Sequence, residues 1–451
     1  MSTINDPKTS SEEKKNDDLA PEHRPLPPHP LAMVVPVDTS LTFEDFENAA
    51  LKKWGYDSIE EAYGPPPYPW RNNMMRSWKE VVEETTSNQT TPLRMAMFLH
   101  GIMPGRPEDD DRNGILGRQI AKAQFLKEHP EVLDLEIKDP IILIGQNRTG
   151  TTFLHRLLSL DPSVRCPRGW EFMNPLPPPE ASTYETDPRV GKARVATVEF
   201  NEFLPQLKFC HELDFTKPEE CIFAMNDDLE MGQAISVPGQ KSTSRLFDSS
   251  EMEPVYASHK KTLQILSSKY PAQSHWVIKC PTHLPHLQVL TKLFPKARFV
   301  WTHRSMEAVI PSFCRISQVM SLASLPALTP ATMGEHIFNY YTELLPKGLA
   351  ERAALEDNND QGVDPRFVDV SFDDLVAYPI QQVRSIYDKL GLEVTDDYLA
   401  AMEAYLEQDA VKRNELKQRA GAPPKPTLKE YGLDAKTVNE TFASYHERFL
   451  Q

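Results

Sequence analysis

A chain of 451 residues with 40% hydrophobic content can bury a sizeable core, in one large α/β domain or two smaller ones. A formal charge of -16 and a pI near 5.3 argue against a general nucleic-acid or anionic-membrane binder, because such partners select for excess lysine and arginine. The five cysteines, Cys166, Cys210, Cys221, Cys280 and Cys314, are scattered and form no CxxC pair, so they suggest buried thiols in a reducing compartment and neither a disulfide framework nor a zinc site.

Residues 1–30 are charged and poor in large apolar side chains, the composition of a disordered tail. They contain no apolar signal-peptide core, and nothing in the chain approaches the roughly 20 apolar residues of a membrane span, so a cytoplasmic protein is expected. Residues 31–136 read as a helical region packed on a core: Phe43–Leu51 and Gly114–Leu126 both carry apolar residues at helical spacing. The α/β domain proper is expected over 137–451. Its strand candidates are the run from Ile141, then Trp276–Lys279, Ala297–Thr302 and Arg366–Val370, with helical segments between them. Short apolar strands alternating with helices predict a parallel sheet flanked by helices, with ligands at the carboxyl ends of the strands. A long helical insertion, 165–270, follows the first βα unit and includes the rigid run Asn174–Pro179. It is the expected substrate pocket, with Trp170, Phe172, Met173, Phe209, Phe215, Phe223, Met225 and Met231 as apolar candidates.

The most informative segment is Ile141-Ile-Leu-Ile-Gly-Gln-Asn-Arg-Thr-Gly-Thr-Thr152, an apolar strand running into a glycine-framed loop that opens a helix. Such a loop wraps backbone N–H groups around a phosphate. Gly145 and Gly150 have the spacing of an ATP-binding P-loop, but Thr151 stands where a nucleotide triphosphatase needs its lysine. The loop's cation is Arg148, which can fork onto a terminal anionic group while Thr151 and Thr152 bond a 5′-phosphate. Between Ile141 and Arg168 the charged residues are Arg148, Arg156, Arg165 and Arg168 against Asp161 alone, a positive island in an acidic protein.

From about Phe125 onward the chain resembles the sulfotransferases that use 3′-phosphoadenosine 5′-phosphosulfate (PAPS), in particular their soluble bacterial and fungal branch. The segment Gly145–Thr152 is similar to the family's 5′-phosphosulfate loop, which implies cofactor contacts from Gln146, Asn147, Arg148, Thr149, Gly150, Thr151 and Thr152. In Thr302-His-Arg-Ser-Met-Glu-Ala-Val-Ile-Pro-Ser312, Arg304 and Ser312 match the pair that holds the 3′-phosphate. In Trp276-Val-Ile-Lys-Cys-Pro-Thr-His283, Lys279 matches the lysine that approaches the reacting sulfuryl group. Glu171, in Arg165-Cys-Pro-Arg-Gly-Trp-Glu171, is placed like the catalytic carboxylate of tyrosylprotein and mycobacterial sulfotransferases.

The resemblance implies transfer of a sulfuryl group from PAPS to a hydroxyl of a small-molecule acceptor, as in specialised metabolism, with no metal required. That chemistry needs a base for the hydroxyl proton and cations for the charge on the transferring and leaving oxygens. Arg148 and Lys279 fill the cationic role. Glu171 is the expected base and His283 its rival; Glu171 can equally form a structural ion pair with Arg165 or Arg168. Two other classes remain open, a nucleotide kinase or triphosphatase and a catalytically silent P-loop binding protein.

Overall fold

The structure is a computed structural model that describes residues 42–86, 114–207, 210–211, 213–228, 242–321, 328–357, 366–420 and 424–450. The expected tail, 1–30, lies outside the described residues, as do Phe209 and Met231.

The core is a four-stranded sheet, β1 (Ile141–Gly145), β2 (Val277–Lys279), β3 (Arg298–His303) and β4 (Phe367–Ser371), in the order β2-β1-β3-β4 with every pair parallel. All five residues of β1 are buried, as a central parallel strand covered on both faces requires. Alternate side chains divide between two apolar clusters. Ile142 and Ile144 join Ile278, Phe299 and Trp301 on one face, while Ile141 and Leu143 join Val277, Val300, Val368 and Val370 on the other. The helices Ser249–Ser267, Met306–Ser321 and Pro330–Asp357 cover the first face. Thr151–Leu158 and Pro379–Lys389 cover the second.

The strand order positions the site. After β1 the chain crosses to β2 on one side, whereas after β3 it continues to β4 on the other. The loops beyond β1 and β3 therefore leave in opposite directions and open a crevice between two hydrogen-bonded strands, the switch point at which open α/β sheets bind ligands.

The first helices, Phe43–Lys53, Ile59–Tyr63, Pro69–Thr86 and Ile115–Glu128, bury an apolar cluster of their own around Phe46, Trp70, Trp78 and Ile120. Charged contacts join them to the rest: Arg118 and Lys122 both donate to the buried Asp227, at 2.6 and 3.1 Å. Between the first βα unit and β2 lie the helices Gly169–Met173, Pro188–Phe203, Ile222–Met225, Ser242–Arg245 and Ser249–Ser267. Cys221 N–H donates to the Lys279 carbonyl at 2.9 Å and thereby ties the segment before Ile222 to the end of β2.

Candidate functional site

The loop after β1 turns where its glycines allow. Gly145 has φ 139°, and a Cβ there would fall 2.7 Å from Thr302 Oγ1; Gly150 has φ 89°. Arg148 holds a left-handed φ of 72°, uncommon for a residue with a Cβ and a mark of a constrained loop. Thr149 is buried and pins the turn, donating to the Gln146 carbonyl at 2.6 Å and pairing with Thr302 Oγ1 at 2.7 Å. The helix Thr151–Leu158 begins with no side-chain cap, so its first N–H groups are left for an anion. Gln146 is fully buried; its Oε1 accepts from Tyr445 at 3.4 Å and its Nε2 has no partner.

Three cations converge on this loop. Arg148 Nε donates to Ser312 Oγ at 3.0 Å, across 164 residues of sequence. Arg304 Nη1 donates to the Arg148 carbonyl at 2.9 Å. Burial lowers the Arg148 guanidinium from its ordinary value, and the positive charge of Arg304 adds to that strain. An anion between them relieves both effects. Lys279, 1% exposed, reaches Thr152 Oγ1 at 3.3 Å from the end of β2. The loop, Arg304, Ser312 and Lys279 are thus brought together at one edge of the sheet.

Glu171 and His283 make their contacts elsewhere. Glu171 is fully buried at the start of the helix Gly169–Met173. Its Oε2 accepts from Arg168 N–H at 2.8 Å, from Tyr184 hydroxyl at 2.5 Å and from Arg165 Nη1 at 3.2 Å, while its Oε1 accepts from Arg165 Nη2. Arg165 is closed in turn by the Tyr270 ring, 4.5 Å away. His283 is fully buried with Nδ1 on Tyr256 hydroxyl at 3.1 Å, and burial holds its imidazole well below the ordinary range. Neither side chain hydrogen-bonds the loop after β1, Arg304 or Lys279.

The carboxylate that meets the cationic edge is Glu220, whose Oε1 accepts from Lys279 Nζ at 2.5 Å and whose side chain is 22% exposed. Nothing local in the sequence marks it, because 59 residues separate the partners and the tie of Cys221 to β2 brings them together. His211 lies within the field of Lys279, Arg148 and Glu220, and burial pushes its imidazole down to about 4. The apolar candidates of the insertion are largely packed. Trp170 and Phe215 share a cluster with Tyr184 and Leu213, Phe172 and Met225 belong to the main core, and Met173 and Phe223 pack against these groups. Among the described residues no helix is long and apolar enough to cross a membrane.

Comparison with known proteins follows this geometry. Residues 140–396 match the model of a family described as the sulfotransferase family. Two curated relatives, the omega-hydroxy-beta-dihydromenaquinone-9 sulfotransferases Stf3 of Mycobacterium bovis and of Mycobacterium tuberculosis, are each 26% identical over 285 residues, 60% of this chain and 67% of theirs. The crystal structure of sulfotransferase STF9 from Mycobacterium avium superposes with a TM-score of 0.72 at 26% identity, covering 92% of this chain and 98% of that one. Sulfotransferase STF1 from Mycobacterium tuberculosis, at 24% identity and a TM-score of 0.69, has the same fold.

Proposed function

The chain belongs to the sulfotransferase family, and on that premise we propose that it transfers the sulfuryl group of PAPS to a hydroxyl of a small-molecule acceptor at the edge formed by Arg148, Arg304, Ser312 and Lys279. PAPS supplies an activated sulfuryl group on a 5′-phosphate whose departure needs only charge balance and alignment. The fit rests on this chain's own atoms: uncapped helix N–H groups, the unpartnered buried Gln146 Nε2, and two arginines lowered by burial.

In this reading the loop N–H groups, Thr151 and Thr152 hold the 5′-phosphate. Arg148 and Lys279 balance charge on the transferring and leaving oxygens, and Arg304 with Ser312 holds the 3′-phosphate. Glu220 takes the acceptor's proton as the acceptor oxygen bonds to sulfur. The bond from sulfur to the phosphate oxygen breaks, and its electron pair leaves on adenosine 3′,5′-bisphosphate. The contact of Glu220 with Lys279 carries this choice of base over Glu171 and His283, which are closed in by their own partners. The inserted segment 165–270 supplies both Glu220 and His211, which supports placing the acceptor there. The named relatives act on a hydroxylated menaquinone derivative, and an apolar alcohol is the acceptor class to try first.

Calorimetry and labelled-PAPS assays test the reading together. Adenosine 3′,5′-bisphosphate is expected to bind more tightly than ATP, and label is expected to pass to an alcohol in the presence of EDTA. ATP binding at least as tight, with turnover that requires Mg²⁺, would favour the kinase alternative. Tight bisphosphate binding without transfer to any alcohol would favour the silent binder.

A further inference from the structure

Arg304 follows the last residue of β3, and Phe372 follows the last residue of β4. Because His303 and Ser371 are register partners, the next residue of each strand emerges beside the other at the carboxyl edge of the sheet. The Arg304 guanidinium carbon lies 4.0 Å from the centroid of the Phe372 ring. The same ring supports the start of the phosphate helix, since a Cβ on Gly150 would fall 3.0 Å from Phe372 Cδ2. Gly150 has a second support in the buried Leu375, 3.3 Å from that Cβ position, whereas the guanidinium carbon of Arg304 sits over Phe372. The bond from Nη1 to the Arg148 carbonyl fixes one corner of the fork. The ring beneath holds the guanidinium in place by cation–π attraction.

We propose that Phe372 is a positioning residue that sets the preference for a 3′-phosphorylated nucleotide, acting through Arg304. The proposal rests on the reading above, in which Arg304 holds the 3′-phosphate. A guanidinium held over a ring and bonded at Nη1 keeps its remaining N–H groups in one place, where two phosphate oxygens can accept a forked pair. Without the ring, the fork must be ordered when the ligand binds, and that entropy is charged only to a ligand bearing the 3′-phosphate. A nucleotide with a plain 3′-hydroxyl gives Arg304 no charged partner and does not register the loss.

Calorimetry with adenosine 3′,5′-bisphosphate and adenosine 5′-monophosphate separates these contributions. Phe372→Leu is expected to weaken the bisphosphate by about 3- to 30-fold, the span of a cation–π contact, while the monophosphate stays within about twofold. Phe372→Tyr, which keeps the ring, is expected to keep the parent's ratio, and Phe372→Leu is expected to add nothing in an Arg304→Ala background. Phe372→Met preserves bulk beneath Gly150 and serves if the leucine variant does not fold. Equal losses for both nucleotides, an undiminished ratio in the folded leucine or methionine variant, or an effect that persists without Arg304 overturns the proposal. A parent protein that binds both nucleotides alike instead removes the assignment of Arg304 itself, a result seen before any variant is made.

Discussion

The cage around Glu171 and the edge at Lys279 use the same chemistry, a carboxylate against a cation, and differ in what surrounds it. Glu171 and Arg165 are 0% and 2% exposed at their side chains, bonded to each other through both terminal guanidinium nitrogens and roofed by Tyr184 and Tyr270. Glu220 is 22% exposed and holds Lys279 by a single bond. In the first, removing a partner strands a buried charge. In the second, an arriving anion can take the lysine and release a carboxylate that water and acceptor can reach. On the function proposed above, burial decides which ion pair is scaffold and which is reagent.

The largest effect expected to sharpen that contrast is on turnover. Glu220→Gln should lower kcat by roughly 10²- to 10⁴-fold with little change in affinity for adenosine 3′,5′-bisphosphate, the usual contribution of a positioned base. If a folded Glu171→Gln protein shows that kinetic loss and Glu220→Gln turns over normally, the roles must be exchanged. Next in size is a loss of stability. Arg165→Met leaves Glu171 buried without its counter-ion and should cost about 3–5 kcal/mol in urea unfolding, much of it recovered by also changing Glu171 to Met. A loss below about 1 kcal/mol would mean that the cage is no scaffold.

At the open edge the cost should appear in binding. Arg304→Ala is expected to weaken adenosine 3′,5′-bisphosphate by about 1.5–3 kcal/mol in calorimetry and to leave the unfolding midpoint near that of the parent. An unchanged affinity would remove Arg304 from the nucleotide site.

The smallest effect concerns the dry interior beside the cage. His259 packs against Phe172, neither ring nitrogen has a partner, and burial pushes its imidazole down to about 3. The unfolded chain takes up that proton near the ordinary value of about 6.5, while the native protein does not, so this share of stability is complete above pH 6.5 and falls as the pH drops toward 3. His259→Phe should therefore gain on the parent by up to about 1.4 kcal/mol per pH unit through that window. A difference in unfolding free energy that is flat with pH would refute the assignment.

Much of the fold was legible because its signals are local. Parallel strands buried on both faces are continuous apolar runs, and β1 through β4 stand within a residue or so of the runs read from the sequence. The glycine-framed loop after β1 was legible for the same reason: glycine spacing, an apolar strand before it and a helix after it occupy a dozen residues. Arg304, in the turn after β3, and Ser312, on the helix Met306–Ser321 that follows, lie eight residues apart in one local segment. The setting of Glu171 was harder to read. Glu171 carried two readings in the sequence, catalytic carboxylate or ion pair with Arg165 or Arg168, and the pair with Arg165 is the contact that forms.

By itself the sequence determined where the strands, the glycine turns and the cations of the loop would lie, because backbone preference and apolar periodicity act over a few residues. Only the tertiary structure decided which side chains meet. Arg148 finds Ser312, Lys279 finds Glu220 and Arg304 finds Phe372 through strand order and register. Whether a carboxylate is enclosed or left at a solvent-reaching edge depends on how elements distant in sequence pack around it, and that burial sets whether its charge is spent on structure or kept for chemistry.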